Sequence, residues 1–178
     1  MLGVVEDCVT SGELDRAFAA YYPDLKRIAH ARLAGICLDG GLSTTALVHE
    51  SYLKLADGVG ADFENRIRFL AYASRTIRSI VIDVIRQRRA DKRGGDIHIV
   101  TLNTDIIDAV GEAIEVEAVH HALNELATFD AGLARLVELR FFGGLTEAEI
   151  AVATHASERT VRREWQKARA LLLTLIRE

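Results

Sequence analysis

The chain has 178 residues, 49% apolar, 27% charged and only 6% aromatic. That length accommodates one sizeable core or two small ones, and a single proline with little two-residue alternation excludes most β-architectures and predicts an all-α protein. The formal charge of −4 would exclude a nucleic-acid partner only if it were spread evenly, and it runs −5 over residues 1–65, +7 over 66–93, −8 over 96–130, −1 over 131–156 and +3 over 157–178.

Two basic blocks separated by an acidic one need an explanation in terms of partners. Cys8 and Cys37 are too few and too unpatterned for a disulfide framework, so a reducing compartment is expected. With no signal peptide and no apolar run of spanning length, the expected location is cytoplasmic, with no membrane span. The histidines and cysteines show no metal-ligand spacing, so no metal and no cofactor are expected. Nor do Asp, Glu, His and Cys cluster in a catalytic pattern, and enzymatic activity is not expected.

From Glu13 to Leu33 apolar residues recur at helical spacing, and Pro23 is predicted to mark a kink or a boundary. Gly35, Gly40 and Gly41 break the pattern. A second helix opens at Ser43, Thr44 and Thr45, natural N-cap residues, and runs to Ala56 with Leu47, Val48, Ser51, Tyr52 and Leu55 on its buried side. Asp57 to Arg66 is a loop containing Phe63 and Asn65, of the size that often carries function.

Ile67 to Arg93 organises the rest. At 100° per residue, Phe69, Leu70, Ala73, Ile77, Ile80, Val81 and Val84 gather on one side, while Arg68, Arg75, Arg78, Arg86 and Arg89 share an arc of about 80° on the other. Solvated helix faces usually mix signs, because opposite charges at i, i+4 attract. A stripe of arginine alone repels itself unless something anionic lies along it, and a phosphodiester backbone is the commonest such partner.

Asp96 to Gly111 reads as a linker, followed by an acidic amphipathic helix from near Glu112 and a helix over Ala134–Phe142 that stops at Gly143 and Gly144. Thr146 with Glu149 three residues later forms a capping box for a short helix to Thr154. His155 and Ala156 make the turn, and Ser157 caps the last helix. There Val161, Trp165, Ala168, Leu172 and Leu175 share one face, and Arg159, Arg162, Arg163 and Gln166 the other. Two short helices with a tight turn, the second basic near its start, fit a helix-turn-helix. Its expected base- and phosphate-contacting residues are Ser157, Arg159, Thr160, Arg162, Arg163 and Gln166.

Leu47–Leu55, the loop after it, the arginine-striped helix, and Leu136 onward (LVELRFFGGLTEAEIAVATHASERTVRREWQKARALL) together resemble a bacterial RNA polymerase sigma factor of the extracytoplasmic-function (ECF) group of the sigma-70 family. The resemblance implies two small helical domains. Residues 13–93 correspond to a promoter-melting domain, 94–111 to an acidic linker, and 112–178 to a helix-turn-helix domain that reads the minus-thirty-five element. Implied partners are core RNA polymerase, through the β′ clamp helices and the β flap, and promoter DNA. On that pattern Leu47, His49, Glu50 and Lys54 fall at the clamp. Phe63 and Asn65 fall in the base-selecting loop of the minus-ten element, and Arg66, Arg75, Arg78, Arg86 and Arg89 follow phosphates during melting.

One departure stands out. The family pattern reads like Asp-Ala-Glu-Asp before Leu-Val, and here Ser43, Thr44, Thr45 and Ala46 occupy those positions. Phosphorylation of Thr44 or Thr45, or of Ser43, by a Ser/Thr protein kinase is expected to restore the missing charge. Control by an anti-sigma factor is the other regulatory possibility. The rival functional reading is a helix-turn-helix transcriptional regulator that binds duplex DNA without core polymerase.

Overall fold

The computed structural model describes residues 11–33, 43–56, 63, 65–91 and 116–177. The expected linker and the start of the acidic helix near Glu112 lie outside the described residues, as do most of the loop 57–66 and the side chain of Arg89. Among the described residues every element is an α-helix. These are α1 Ser11–Leu33, α2 Thr44–Ala56, α3 Arg66–Asp91, α4 Val116–Phe129, α5 Ala131–Phe141, α6 Glu147–Thr154 and α7 Glu158–Arg177.

Helix α1 runs through Pro23 without the expected boundary. The proline ring removes the donor to the Ala19 carbonyl and crowds that carbonyl, but both residues are exposed, where solvent can satisfy the freed acceptor. Helix α2 starts where Ser43 caps it, its Oγ accepting from the Ala46 N–H at 3.1 Å. Asn65 performs the same service for α3, accepting from the Arg68 N–H at 3.0 Å. Helix α5 begins earlier than its apolar pattern suggests, because the Asp130 carboxylate accepts from the Leu133 N–H at 3.0 Å. That bond draws the Asp130 carboxyl below the usual range; partial burial opposes it, and Lys167 adds to the lowering.

Helices α1–α3 close on Leu25, Ile28, Leu47, Leu55, Phe69 and Ile77, all buried. An aromatic cluster reinforces them: Phe18 meets Tyr52 at 4.9 Å, Tyr21 meets Phe69 at 5.4 Å, and Phe63 meets Phe69 at 5.5 Å. Helices α4–α7 close on Leu123, Val137, Phe142, Ile150, Trp165 and Leu172. Truncating a fully buried phenylalanine such as Phe69 or Phe142 to alanine costs about 3–5 kcal/mol.

The two halves touch. Helix α3 packs against α4, α5 and α6, and its second buried face is made by Ser74 and Ile82, 0% and 2% exposed, on either side of the half-buried Arg78. The Gly143–Gly144 turn fits into this joint. A Cβ on Gly143 would lie 3.3 Å from Ser74 Cβ, and one on Gly144, whose φ is +61°, would lie 2.9 Å from Ile28 Cγ1. Only glycine combines that close approach with a left-handed backbone.

Candidate nucleic-acid and partner surfaces

The helix-turn-helix is built as its sequence dictates. Thr146 caps α6, and Glu149 reciprocates from the third helical position, completing the capping box. His155 ends α6 in the left-handed conformation with φ +53°, and Ser157 Oγ then accepts from the Thr160 N–H at 3.1 Å to start α7. Trp165 faces inward and is 4% exposed, with the Arg140 guanidinium 4.5 Å from its ring centroid.

Arg159, Arg162, Arg163 and Gln166 are all exposed on α7, with Ser157 exposed and Thr160 half-buried beside them. Two of the arginines are already engaged by carboxylates. Arg162 Nε donates to Glu147 at 3.1 Å, and Arg163 donates to Glu164 through Nε and Nη2 at 3.1 and 2.9 Å. Arg159 makes no ion pair among the described residues. Rim pairs of this kind contribute little to stability, so they exchange readily for phosphate or guanine.

On α3, Arg75 and Arg86 are exposed while Arg78 turns toward the C-terminal half. Arg78 Nη2 donates to Asn124 Oδ1 at 2.6 Å and to the His120 carbonyl at 3.3 Å. Burial pushes its pKa down, and the Glu138 carboxylate pulls the other way. The stripe is therefore not one continuous solvent-facing edge: Arg78 lies in a joint and Arg75 at its rim.

Arg66 lies at the start of α3, where it grips α1 and α6 together. It donates to both Asp24 carboxylate oxygens at 2.7 and 2.9 Å, and its Nη1 donates to Glu149. Hydrogen bonding to Asp24 raises its pKa despite partial burial. The same bond holds the Asp24 carboxyl below its ordinary value. For Glu149, burial pushes upward, but the Thr146 backbone and hydroxyl donors, then Arg66, outweigh it and keep the carboxyl low.

Of the expected base-contacting residues, Phe63 packs edge-on against Phe69 and Tyr72, and the Asn65 side-chain oxygen is committed to the α3 cap. On α2, Leu47 is 0% exposed and supports the helix from within. The outward face consists of His49, Glu50, Leu53 and Lys54. Leu53, 58% exposed, has no apolar-face logic in the sequence and becomes evident only in the structure. Lys54 reaches Asp83 of α3 at 2.9 Å. Thr45 is exposed, Thr44 half-buried, and the first turn of α2 carries no acidic residue. Among the described residues no group of three or more His, Cys, Asp and Glu could hold a metal ion. None of the described helices is long and apolar enough to cross a membrane.

No curated protein and no solved structure matches the chain significantly. A family model described as ECF sigma factor matches residues 7–177, through both helical halves. The chain belongs to the ECF sigma factor family, all-α two-domain proteins that direct transcription initiation by RNA polymerase at promoter DNA.

Proposed function

We propose that this sigma factor docks on the β′ clamp helices of core polymerase through the outward face of α2. In this reading α3 and the residues before it hold the minus-ten element as it melts, and α7 reads the minus-thirty-five element. The observation that carries the proposal is the family match across both halves, joined to exposed arginines on α3 and α7. The chain itself makes and breaks no bond. Its contribution is binding energy: opening each base-pair step costs on the order of 1.4 kcal/mol, and contacts to phosphates and unstacked bases offset that. His49, Glu50 and Lys54 contact the clamp, with Leu53 providing the apolar centre. Phe63, Asn65, Arg66, Arg75, Arg78, Arg86 and Arg89 serve the minus-ten region. Arg159, Arg162, Arg163 and Gln166, supported by Ser157 and Thr160, serve the upstream element, and the acidic stretch 94–111 joins the two domains.

We further propose that docking is controlled by phosphorylation of Thr44 or Thr45 by a Ser/Thr kinase. A phosphate adds about −1.5 to −2 charge, and the first turn of a helix favours it through the aligned peptide dipoles. The absence of any acidic residue in that turn supports this, as does the exposure of Thr45. Ser43 is the poorer acceptor, since its hydroxyl already caps the helix. The test is run-off transcription with purified core polymerase, comparing the unmodified chain with Thr44→Glu and Thr45→Glu. Stronger initiation by the acidic variants supports control at this turn. Full activity of the unmodified protein, unchanged by Thr44→Ala and Thr45→Ala, overturns it. Failure to bind core polymerase in every form would leave a regulator that acts on duplex DNA alone.

A further inference from the structure

Arg75 and Arg78, which the proposed function assigns to DNA phosphates, face a carboxylate supplied by the chain's own C-terminal half. Glu138 of α5 is 6% exposed. Its oxygens lie 3.6 Å from Arg75 Nε, 3.9 Å from Arg78 Nη1 and 2.7 Å from Arg135 Nη1. Arg135 also reaches back across the joint, donating to the Ala71 carbonyl at 2.6 Å and to Ser74 Oγ at 3.1 Å. A second ionic contact, Arg66 with Glu149, ties the start of α3 to the helix-turn-helix. The C-terminal half thus places one carboxylate against each end of the α3 contact, where phosphates would otherwise lie.

From this arrangement we infer that the free sigma factor is self-masked: the helix-turn-helix half lies on the promoter-melting face of α3, held by Glu138 and Glu149, and must swing away before that face engages DNA. This rests on the assignment of Arg66, Arg75 and Arg78 to DNA. Three features make the closed form reversible. The Glu138 contacts border a cleft of about 520 Å³ lined by Arg75, Arg78, Arg135 and Glu138 itself, so water and salt reach them. Three guanidiniums share one Glu138 carboxylate, which leaves excess positive charge for a polyanion to claim. And Arg32 is buried between the halves with Nε and Nη1 unpaired among the described residues, a cost that opening relieves. DNA, presenting one phosphate charge per roughly 1.7 Å of duplex axis, outcompetes two carboxylates by mass of charge.

The experiment uses the full chain with Glu138→Gln and Glu149→Gln combined. Both changes are isosteric, and glutamine still serves the capping box at position 149. A control carries Glu13→Gln and Glu125→Gln, the same charge change at exposed positions outside the joint. Small-angle scattering reads the conformation, and fluorescence anisotropy with a labelled single-stranded oligonucleotide reads the DNA face. A compact chain of this length has a radius of gyration of about 16 Å. The double variant is expected to expand by several ångströms over wild type and to bind the oligonucleotide roughly fivefold more tightly than the control, the equivalent of ~1 kcal/mol. Scattering identical to wild type, or affinity no higher than the control, overturns the inference. Expansion with no oligonucleotide binding by any form overturns the masking together with the DNA assignment of α3, while leaving the transcription test of α2 unaffected.

Discussion

Arg32, in the last turn of α1, holds its guanidinium 4.3 Å from the ring centroid of Phe141 on α5. Burial, and then the like charge of Arg27, pull its pKa down to about 10, so it stays charged at neutral pH with two donors unpaired among the described residues. The ring face returns part of the lost hydration, but a buried cation without a carboxylate remains unfavourable. Replacing Arg32 with leucine is expected to stabilise the closed chain by about 1–3 kcal/mol. For a chain of this size each kcal/mol raises the thermal midpoint by roughly 2–4 °C. Calorimetry measures the midpoint, and a fall instead of a rise would mean that the contact with Phe141 outweighs the desolvation it demands.

Acid should loosen the joint. Arg66 holds the Asp24 carboxyl below its ordinary value of 3.8, and the Thr146 donors with Arg66 do the same for Glu149 against an ordinary 4.5. Carboxyls depressed in the folded chain contribute their full stabilisation above those ordinary values and lose it as pH falls through the depressed ones. Scattering is therefore expected to show the compact form from neutral pH to about 5 and expansion below about 4. In Glu149→Gln, which removes the carboxyl that meets Arg66 from the other half, the dimension should be larger at neutral pH and change less on acidification. An identical profile in wild type and variant would place the acid response elsewhere.

The helices themselves were legible because their signals are local. Thr146 with Glu149 specified the start of α6, and Ser157 that of α7. The apolar spacing from Phe69 to Val81 located the core side of α3. Of the two readings of Pro23, a kink or a boundary, the continuous α1 excludes the boundary, because an exposed proline in a long helix removes a bond that water can replace. The second buried face of α3 was missed for a different reason. Ser74, Arg78 and Ile82 are spaced i, i+4, i+8 and mark a stripe, but one serine and one arginine in it read as solvent-facing. Which carboxylate meets which arginine across sequence separations such as 66 to 149 has no periodic signature at all. The family resemblance located the residues expected to contact DNA and polymerase without revealing that the chain covers some of them itself.

The capping box at Thr146 joins local folding to the interdomain contact, since Glu149 serves both Thr146 and Arg66. Thr146→Ala removes the acceptor for the Glu149 N–H and should cost about 1 kcal/mol. It also releases the Glu149 carboxylate from one neighbour. The expected result in chemical denaturation is a lower midpoint with an unchanged slope. A reduced slope would show that the variant's native state had already opened.

At the start of α6, Glu147 is held between two arginines, 3.5 Å from Arg140 Nη1 and 3.1 Å from Arg162 Nη2 of α7. Arg140 is anchored on Trp165, so Glu147 is a fixed carboxylate that holds Arg162 against the first helix of the motif. Arg159, exposed one turn earlier, makes no ion pair among the described residues and is the better placed to enter a major groove. Arg159→Ala is expected to lose about 1–3 kcal/mol on an upstream-element duplex if its contact is bidentate to guanine. Glu147→Gln frees Arg162 for a phosphate and should strengthen binding to unrelated duplexes as much as to the cognate one, steepening the salt dependence by about one charge. Titrations of both variants across salt concentration separate the two roles. If Glu147→Gln instead weakens binding to the cognate duplex alone, Glu147 orients Arg162 onto a base, and the ion pair is part of promoter recognition.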